Sequence, residues 1–419
     1  MKLKLVLSAM IIRLKELKVI PALMALVFAM YNSLTFTALE MQTASYLSLA
    51  MMLLASCFSM LLIVHQRGLS RFAFCVLFLL LWIAAVTMLN GNDLKNWVYQ
   101  SVSLITLLFL FDYYRDDVRP LLVGLLIGFT ISIYASLLHM IMNPHLWITI
   151  GDEQKNVTGF LLGGNYNQTG PRLLCAIILN VLCLKYSRWF WINLVPLVVV
   201  SLSILLMVQS MTAVVGMLLL LIFCLLPNLQ FSRLCITGLL CAVICFQVFV
   251  CFNGKGIENN EYATWFIVDV LGKDITFTYR TDLWDASMKL FTESPLMGYG
   301  LPTTEWYYSH LASFAIGPHN LILGLMLFGG IPAALGYVCL MVYAVVGVLR
   351  IKDRYATAIY AAVAVWSLMS LMEIYSTPLI FFFIILTYYY GRGKSLIDTA
   401  PSDEYQNKNH SQHPGAECA

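Results

Sequence analysis

The chain has 419 residues, 60% of them hydrophobic and 11% charged, with a mean hydropathy of +0.80. A water-soluble domain carries about 25% charged residues, so this composition excludes a soluble enzyme and points to a polytopic membrane protein. The net charge of +3 carries no information about nucleic acid, and no nucleic-acid partner is expected.

Residues 1–20 carry Lys2, Lys4, Arg13, Lys15 and Lys18 ahead of the first full apolar run. No small-residue cleavage site follows that run, so the expectation is an uncleaved first span. About twelve spans are placed at roughly 19–38, 45–64, 72–90, 97–112, 119–141, 171–186, 189–208, 211–227, 233–252, 319–349, 355–373 and 377–391, each near the ~20 apolar residues a bilayer requires. Gly329-Gly330 with Pro332 mark a kink or split in the long tenth span. The eleven cysteines are scattered, many inside apolar runs, and form no CxxC pair or Cys/His cluster, so no metal site is expected.

Basic residues set the orientation. With the N-terminus cytoplasmic, the inner connections hold Arg67, Arg71, Arg115, Arg119, Lys185, Arg188, Arg233, Arg350, Lys352 and Arg354, and Arg392 and Lys394 flank the last span. The short outer connections hold Lys95 and otherwise acidic or neutral residues such as Glu40, Asp93 and Glu373. That alternation follows the positive-inside rule. The expected fold is therefore an all-α bundle of about 12 transmembrane helices over residues 1–394, with a disordered cytoplasmic tail over 395–419 and both termini cytoplasmic. Two longer outer segments remain, at about 142–170 and at 253–318, the second between helices 9 and 10. A loop of that length inside a membrane bundle is a candidate for function.

The 253–318 segment carries Tyr279-Arg280, whose sequel Thr281-Asp282-Leu283-Trp284 leads into Ala286, Met288, Leu290 and Phe291, the pattern of a short amphipathic helix on the membrane surface. An arginine at its start is placed for bidentate contact with a phosphate; the bland alternative is a solvated loop residue. At the segment's end stands Gly317-Pro318-His319-Asn320. His319 is either an interfacial residue or a base near neutral pH, and Asn320 is expected to face the same aqueous cavity. The run Gly163-Gly164-Asn165-Tyr166-Asn167-Gln168-Thr169-Gly170-Pro171-Arg172 reads as a capped turn or as a sugar- and anion-binding loop. In the second reading Asn165 and Asn167 orient a sugar, while Arg172 opens a span where a charge must be paired or phosphate-bound. Gln209-Ser210-Met211-Thr212 is a tight polar turn, and Glu373 is either a solvated span end or a partner for an arginine.

Tyr279-Arg280, Trp284, Phe291, Ser294-Pro295-Leu296, Gly298-Tyr299-Gly300, Gly317-Pro318-His319-Asn320, Leu323 and Gly330-Ile331, in this order, resemble the O-antigen ligase and Wzy-type polysaccharide polymerase superfamily over about 255–350. The resemblance implies a metal-independent, cofactor-free, inverting glycosyltransferase of the bacterial inner membrane. Its donor would be a polyprenyl diphosphate-linked glycan and its acceptor a lipid-linked glycan, with membrane lipid around it and a chain-length regulator as a possible partner. Carried over, Arg280 holds the diphosphate and His319 assists the acceptor hydroxyl. Ligases resemble one another in an arginine at the turn where this chain has Gln209-Ser210-Met211-Thr212. This departure favours a polymerase of O-antigen, capsule or exopolysaccharide, with a ligase acting on lipid A-core as the alternative and Arg172 as the substitute charge. A flippase for the same lipid-linked sugars is the rival of another class. Such transporters carry ionisable residues within their spans and broken helices near the midplane; here the spans are nearly free of charge, the polar groups gather at one face, and no internal repeat is strong enough to suggest an inverted-repeat transporter.

Overall fold

The computed structural model describes residues 19–33, 41–65, 68–142, 168–208, 210–253, 261–265 and 279–392. Asn165 and Asn167, and the tail assigned to 395–419, lie outside the described residues. All regular structure among the described residues is helical. In chain order the helices are α1 (Val19–Ser33), α2 (Met41–His65), α3 (Arg71–Leu89), α4 (Lys95–Tyr113), α5 (Arg119–Met142), α6 (Thr169–Cys183), α7 (Phe190–Met207) and α8 (Met211–Leu225). They continue as α9 (Leu229–Phe246, extended by a π turn, Gln247–Cys251), α10 (Glu261–Thr264), α11 (Arg280–Glu293), α12 (Thr304–His310), α13 (Leu321–Leu349), α14 (Arg354–Met369) and α15 (Thr377–Arg392).

A helix falls within each expected apolar segment, and among the described residues six are long and apolar enough to cross a membrane: those of α2, α3, α5, α7, α9 with its π turn, and α13. The described residues thus form an all-helical protein of membrane-spanning composition. One boundary moves with consequence. The segment expected to run as a span to 373 ends as helix at Met369, so Glu373 stands in the connection to α15 rather than on a helix end.

α6, α14 and α15 are buried on nearly every side. A helix apolar all round belongs inside a bundle, and these three form its centre. Basic helix ends meet at one face. Lys185 Nζ lies 3.3 Å from Asp353 Oδ2, Arg119 lies over the Tyr186 ring at 5.1 Å, and Arg233 donates to Thr357 Oγ1 at 3.0 Å and to the carbonyls of Leu349 and Ile351.

At the opposite end α13 is broken. Gly329 (φ −155°) and Gly330 (φ 64°, ψ −160°) leave helical geometry, with Pro332 just beyond. Breaking a helix releases carbonyls and amides that hydrocarbon cannot satisfy. The segment Ser294–Leu301 supplies most of the partners. Tyr299 N donates to Leu327 O at 2.6 Å, Gly300 N to Phe328 O at 3.1 Å, and Ile331 N donates to Pro295 O at 2.8 Å. Trp82 Nε1 of α3 donates to Gly329 O at 2.8 Å. The segment is itself pinned to α3, since Leu301 N donates to Thr87 Oγ1 at 3.0 Å and Asn92 Nδ2 to Tyr299 O at 2.8 Å.

A side chain at Gly330 would place its Cβ 2.4 Å from the backbone of Leu296, in a conformation that only glycine adopts easily. Gly330→Ala is expected to lower stability by about 2–3 kcal/mol, read as a fall in Tm of the detergent-purified protein. An unchanged Tm would show that the break does not need this glycine.

Candidate active site

The amphipathic reading of residues 279–291 meets a real helix. Tyr279 has left-handed backbone (φ 65°) and Arg280 is the first residue of α11. α11 buries Leu283, Trp284 and Leu290. Trp284 is fully buried, edge-on to Phe246 of α9 with ring centroids 6.3 Å apart. It packs in a cluster with Val243, Cys251, Leu323, Met326 and Leu371. That indole anchors the helix to α9 and α13, and thereby fixes where Arg280 sits.

A cavity of about 370 Å³ is lined by residues from five parts of the chain. The start of α6 contributes Gln168 and Arg172, α4 contributes Gln100, the approach to α13 contributes Gly317 and His319, and the α14–α15 connection contributes Glu373 through Thr377. Leu301, Pro302, Thr304 and Tyr307, the last of them on α12, form the fifth part, and Ile316, Phe328 and Ile380 add apolar surface.

Each group has a defined mount. Arg172 is only 6% exposed, and its Nη1 donates to Gln168 O at 2.6 Å. Gln168 spans to the α14–α15 connection, donating from Nε2 to Ile374 O at 3.0 Å and accepting from Ser376 N at 3.2 Å. Gln100 Oε1 accepts from Thr377 N at 3.2 Å and from the Thr377 hydroxyl. The two glutamines thus hold the floor of the cavity from opposite sides. His319 Nδ1 lies 2.9 Å from Glu373 Oε1, with the carboxylate largely buried. His319 has φ 47°, an uncommon left-handed backbone for a non-glycine residue, of the kind that clusters at functional sites.

Two tyrosines in the wall are held neutral. Burial pushes the Tyr375 phenol well above its ordinary range, the Glu373 carboxylate adds to the rise, and the positive charge of Arg280 opposes it. Burial alone raises Tyr307. Arg280 therefore acts electrostatically on the cavity wall although its side chain is not part of the lining.

Of the residues expected from sequence, His319 and Arg172 share the cavity, and Arg280 stands beside it. Tyr279 does not line it; its exposed ring is directed to Phe314, with centroids 6.0 Å apart. Asn320 is the correction. It was expected to face the cavity, yet it is fully buried. Its Oδ1 accepts from Leu323 N at 3.0 Å as the N-cap of α13, and its Nδ2 donates to Gln247 Oε1 at 2.8 Å and Leu371 O at 3.1 Å. A helix start buried against α9 needs such a cap, and that requirement turns the amide inward. Sequence reasoning did not find Gln100, Gln168 or Tyr375 as wall residues, and it considered an arginine rather than His319 as the partner of Glu373.

Asn320→Ala should lower stability by about 1–3 kcal/mol, by removing the cap and stranding the Gln247 amide. Denaturation in detergent measures this. Unchanged stability with lost activity would return Asn320 to the substrate.

Residues 196–338 match the O-antigen ligase family. This domain supports placing the chain in the O-antigen ligase and Wzy-type polymerase superfamily. The match takes in α11, the Ser294–Leu301 segment, His319 and the break in α13, while Arg172 and Glu373 lie outside it. No curated protein matches the chain.

Proposed function

We propose that the chain is a surface-polysaccharide polymerase that transfers a glycan from polyprenyl diphosphate to the hydroxyl of a lipid-linked repeat unit at the cavity face of the bundle. The observation that carries this reading is the convergence of Arg172, His319 and Glu373 in one polar cavity, with Arg280 beside it, inside a chain with an O-antigen ligase domain.

The chemistry follows from the groups present. Glu373 beside Nδ1 favours the tautomer with the proton on that nitrogen, leaving Nε2 as the acceptor. The acceptor hydroxyl loses its proton to Nε2 as its oxygen bonds to the donor's anomeric carbon. The bond from that carbon to the diphosphate oxygen breaks, and the diphosphate leaves with the bonding pair. Single displacement inverts the anomeric configuration. Charge grows on the leaving diphosphate, where guanidinium groups stabilise it without titrating. No metal is needed for this scheme. The cavity face is the outer one in the orientation set by the basic residues, so both termini are cytoplasmic and the donor arrives on the outer leaflet of the inner membrane.

The polymerase is favoured over the ligase by the source of the second cation. Gly170 meets Ala213 of α8 so closely that an added Cβ would lie 2.5 Å from the alanine methyl. The first turn of α6, which carries Arg172, therefore abuts the α7–α8 turn where ligases carry their arginine. Here the charge comes from α6 instead. Transfer to lipid A-core remains the alternative, and the clustering of polar groups at one end of the bundle weighs against a flippase.

Arg280→Lys and Arg172→Lys should each lower transfer at least about tenfold with folding retained, because a point charge replaces a fork. His319→Ala should cost on the order of 10²–10⁴-fold. Initial rates with lipid-linked repeat units test all three, and a normal rate removes that residue from the site. Deleting the gene in its native host tests the assignment. Single repeat units on lipid A-core or carrier, without long polymer, support a polymerase. Full-length polymer stranded on the carrier supports a ligase, and loss of carrier-linked units from the outer leaflet supports a flippase.

A further inference from the structure

A second concavity lies between α3 and α13 and is unused by the chemistry above. It measures about 840 Å³ and its walls are almost wholly apolar, including Phe74, Phe78, Trp82, Pro332, Cys339 and Leu340. That is toward the upper end of the roughly 300–1,000 Å³ typical of ligand sites. Small residues at Cys75, Gly336 and Cys339 leave the space open between two helices that otherwise pack closely. Phe74 and Phe78 are 66% and 63% exposed, so the groove faces outward, toward lipid in a membrane.

The groove has a polar end and an apolar end. Arg71 and Tyr343 stand at the first, Trp82 and the break of α13 at the second. Arg392 adds a second cation at the polar end, with its guanidinium 4.8 Å from the Tyr343 ring centre and 5.4 Å from that of Tyr388. Tyr388 in turn stacks on Phe72 of the groove wall, centroids 3.9 Å apart. The nearby Asp112 carboxylate is fully buried and accepts hydrogen bonds from Ser70 N at 3.1 Å and the Tyr389 hydroxyl at 2.7 Å. Both arginines are exposed and sit among the basic helix ends described above.

We infer that this groove binds a diacyl phospholipid with an anionic headgroup from the leaflet on the basic face, its acyl chains along α3 and α13 and its phosphate between Arg71 and Arg392. Charge complementarity selects the headgroup, since a cationic pair above an apolar slot favours a phosphate without a balancing ammonium. Position excludes the glycan carrier. Arg71 opens α3, while Thr87 of the same helix holds the active-site segment, which puts the two levels about 24 Å apart at the rise of an α-helix. A carrier whose diphosphate sits at the cavity cannot also place it on Arg71. The choice of a phospholipid over the carrier rests on the proposed reading of the cavity, whereas binding of an anionic lipid requires only that the bundle be in a membrane.

The test is native mass spectrometry of the delipidated full-length protein, titrated with phosphatidylglycerol or with phosphatidylcholine of the same acyl chains. Phosphatidylglycerol should bind more tightly, on the order of tenfold. Arg71→Gln/Arg392→Gln should reduce it to the phosphatidylcholine level, and Arg71→Lys/Arg392→Lys should retain the preference. Cys339→Trp, which fills the groove, should remove binding of both lipids. Equal affinity of the wild type for the two lipids would overturn the inference, as would an unchanged preference in the glutamine variant. Displacement of phosphatidylglycerol by a polyprenyl phosphate would assign the groove to the carrier instead. If the glutamine variant fails to fold, the wild-type comparison and the groove-filling variant still decide.

Discussion

Hydrocarbon does not tolerate an interrupted helix unless the freed backbone groups find other partners, and α13 is interrupted at Gly329-Gly330. The released carbonyls of Leu327, Phe328 and Gly329 and the amide of Ile331 are taken up by Tyr299, Gly300, Trp82 and Pro295. This exchange welds the 294–301 segment to α13 and α3. The C-terminal end of α11 is held by the weld and its second turn by Trp284, so Arg280, one turn before the indole, is fixed in place. The same segment continues into the wall that ends at Tyr307. The break is therefore the structural origin of the site's position as well as a local irregularity.

The cavity contains its own economy of charge. Arg172 is buried at the start of α6, Glu373 is buried in the α14–α15 connection, and His319 lies against Glu373. Buried charges are costly unless paired or occupied by a ligand, and the groups assembled here suit an anion and a hydroxyl together. Two uncharged amides, Gln100 and Gln168, fix the connection that carries Glu373. Such supports hold a catalytic geometry without competing for substrate.

Much of this could be read from the residues. Hydropathy located the apolar helices, since lipid-facing and buried positions alike must be apolar. Gly329-Gly330-Ile331-Pro332 announced the break, because glycine and proline are its usual causes. The alternation in 281–291 announced α11, and its first residue is the arginine singled out. The rest depends on contacts distant in sequence: Pro295 with Ile331, Thr87 with Leu301, Gln100 with Thr377, and His319 with Glu373. A polar residue near the end of an apolar run looks the same whether water or a neighbouring helix satisfies it, so neither glutamine nor Glu373 was distinguishable from a solvated end. Asn320 shows the reverse case. Beside His319 it looked like a binding residue, but the buried helix start claims its amide.

The most direct measurement is transfer by the purified full-length protein in proteoliposomes, using lipid-linked single repeat units from the native host as the only substrate. Chains of increasing length on the carrier with the wild type, and none with His319→Ala, are the outcome this account predicts. No elongation until lipid A-core is added, or equal elongation by the His319→Ala protein, would contradict it.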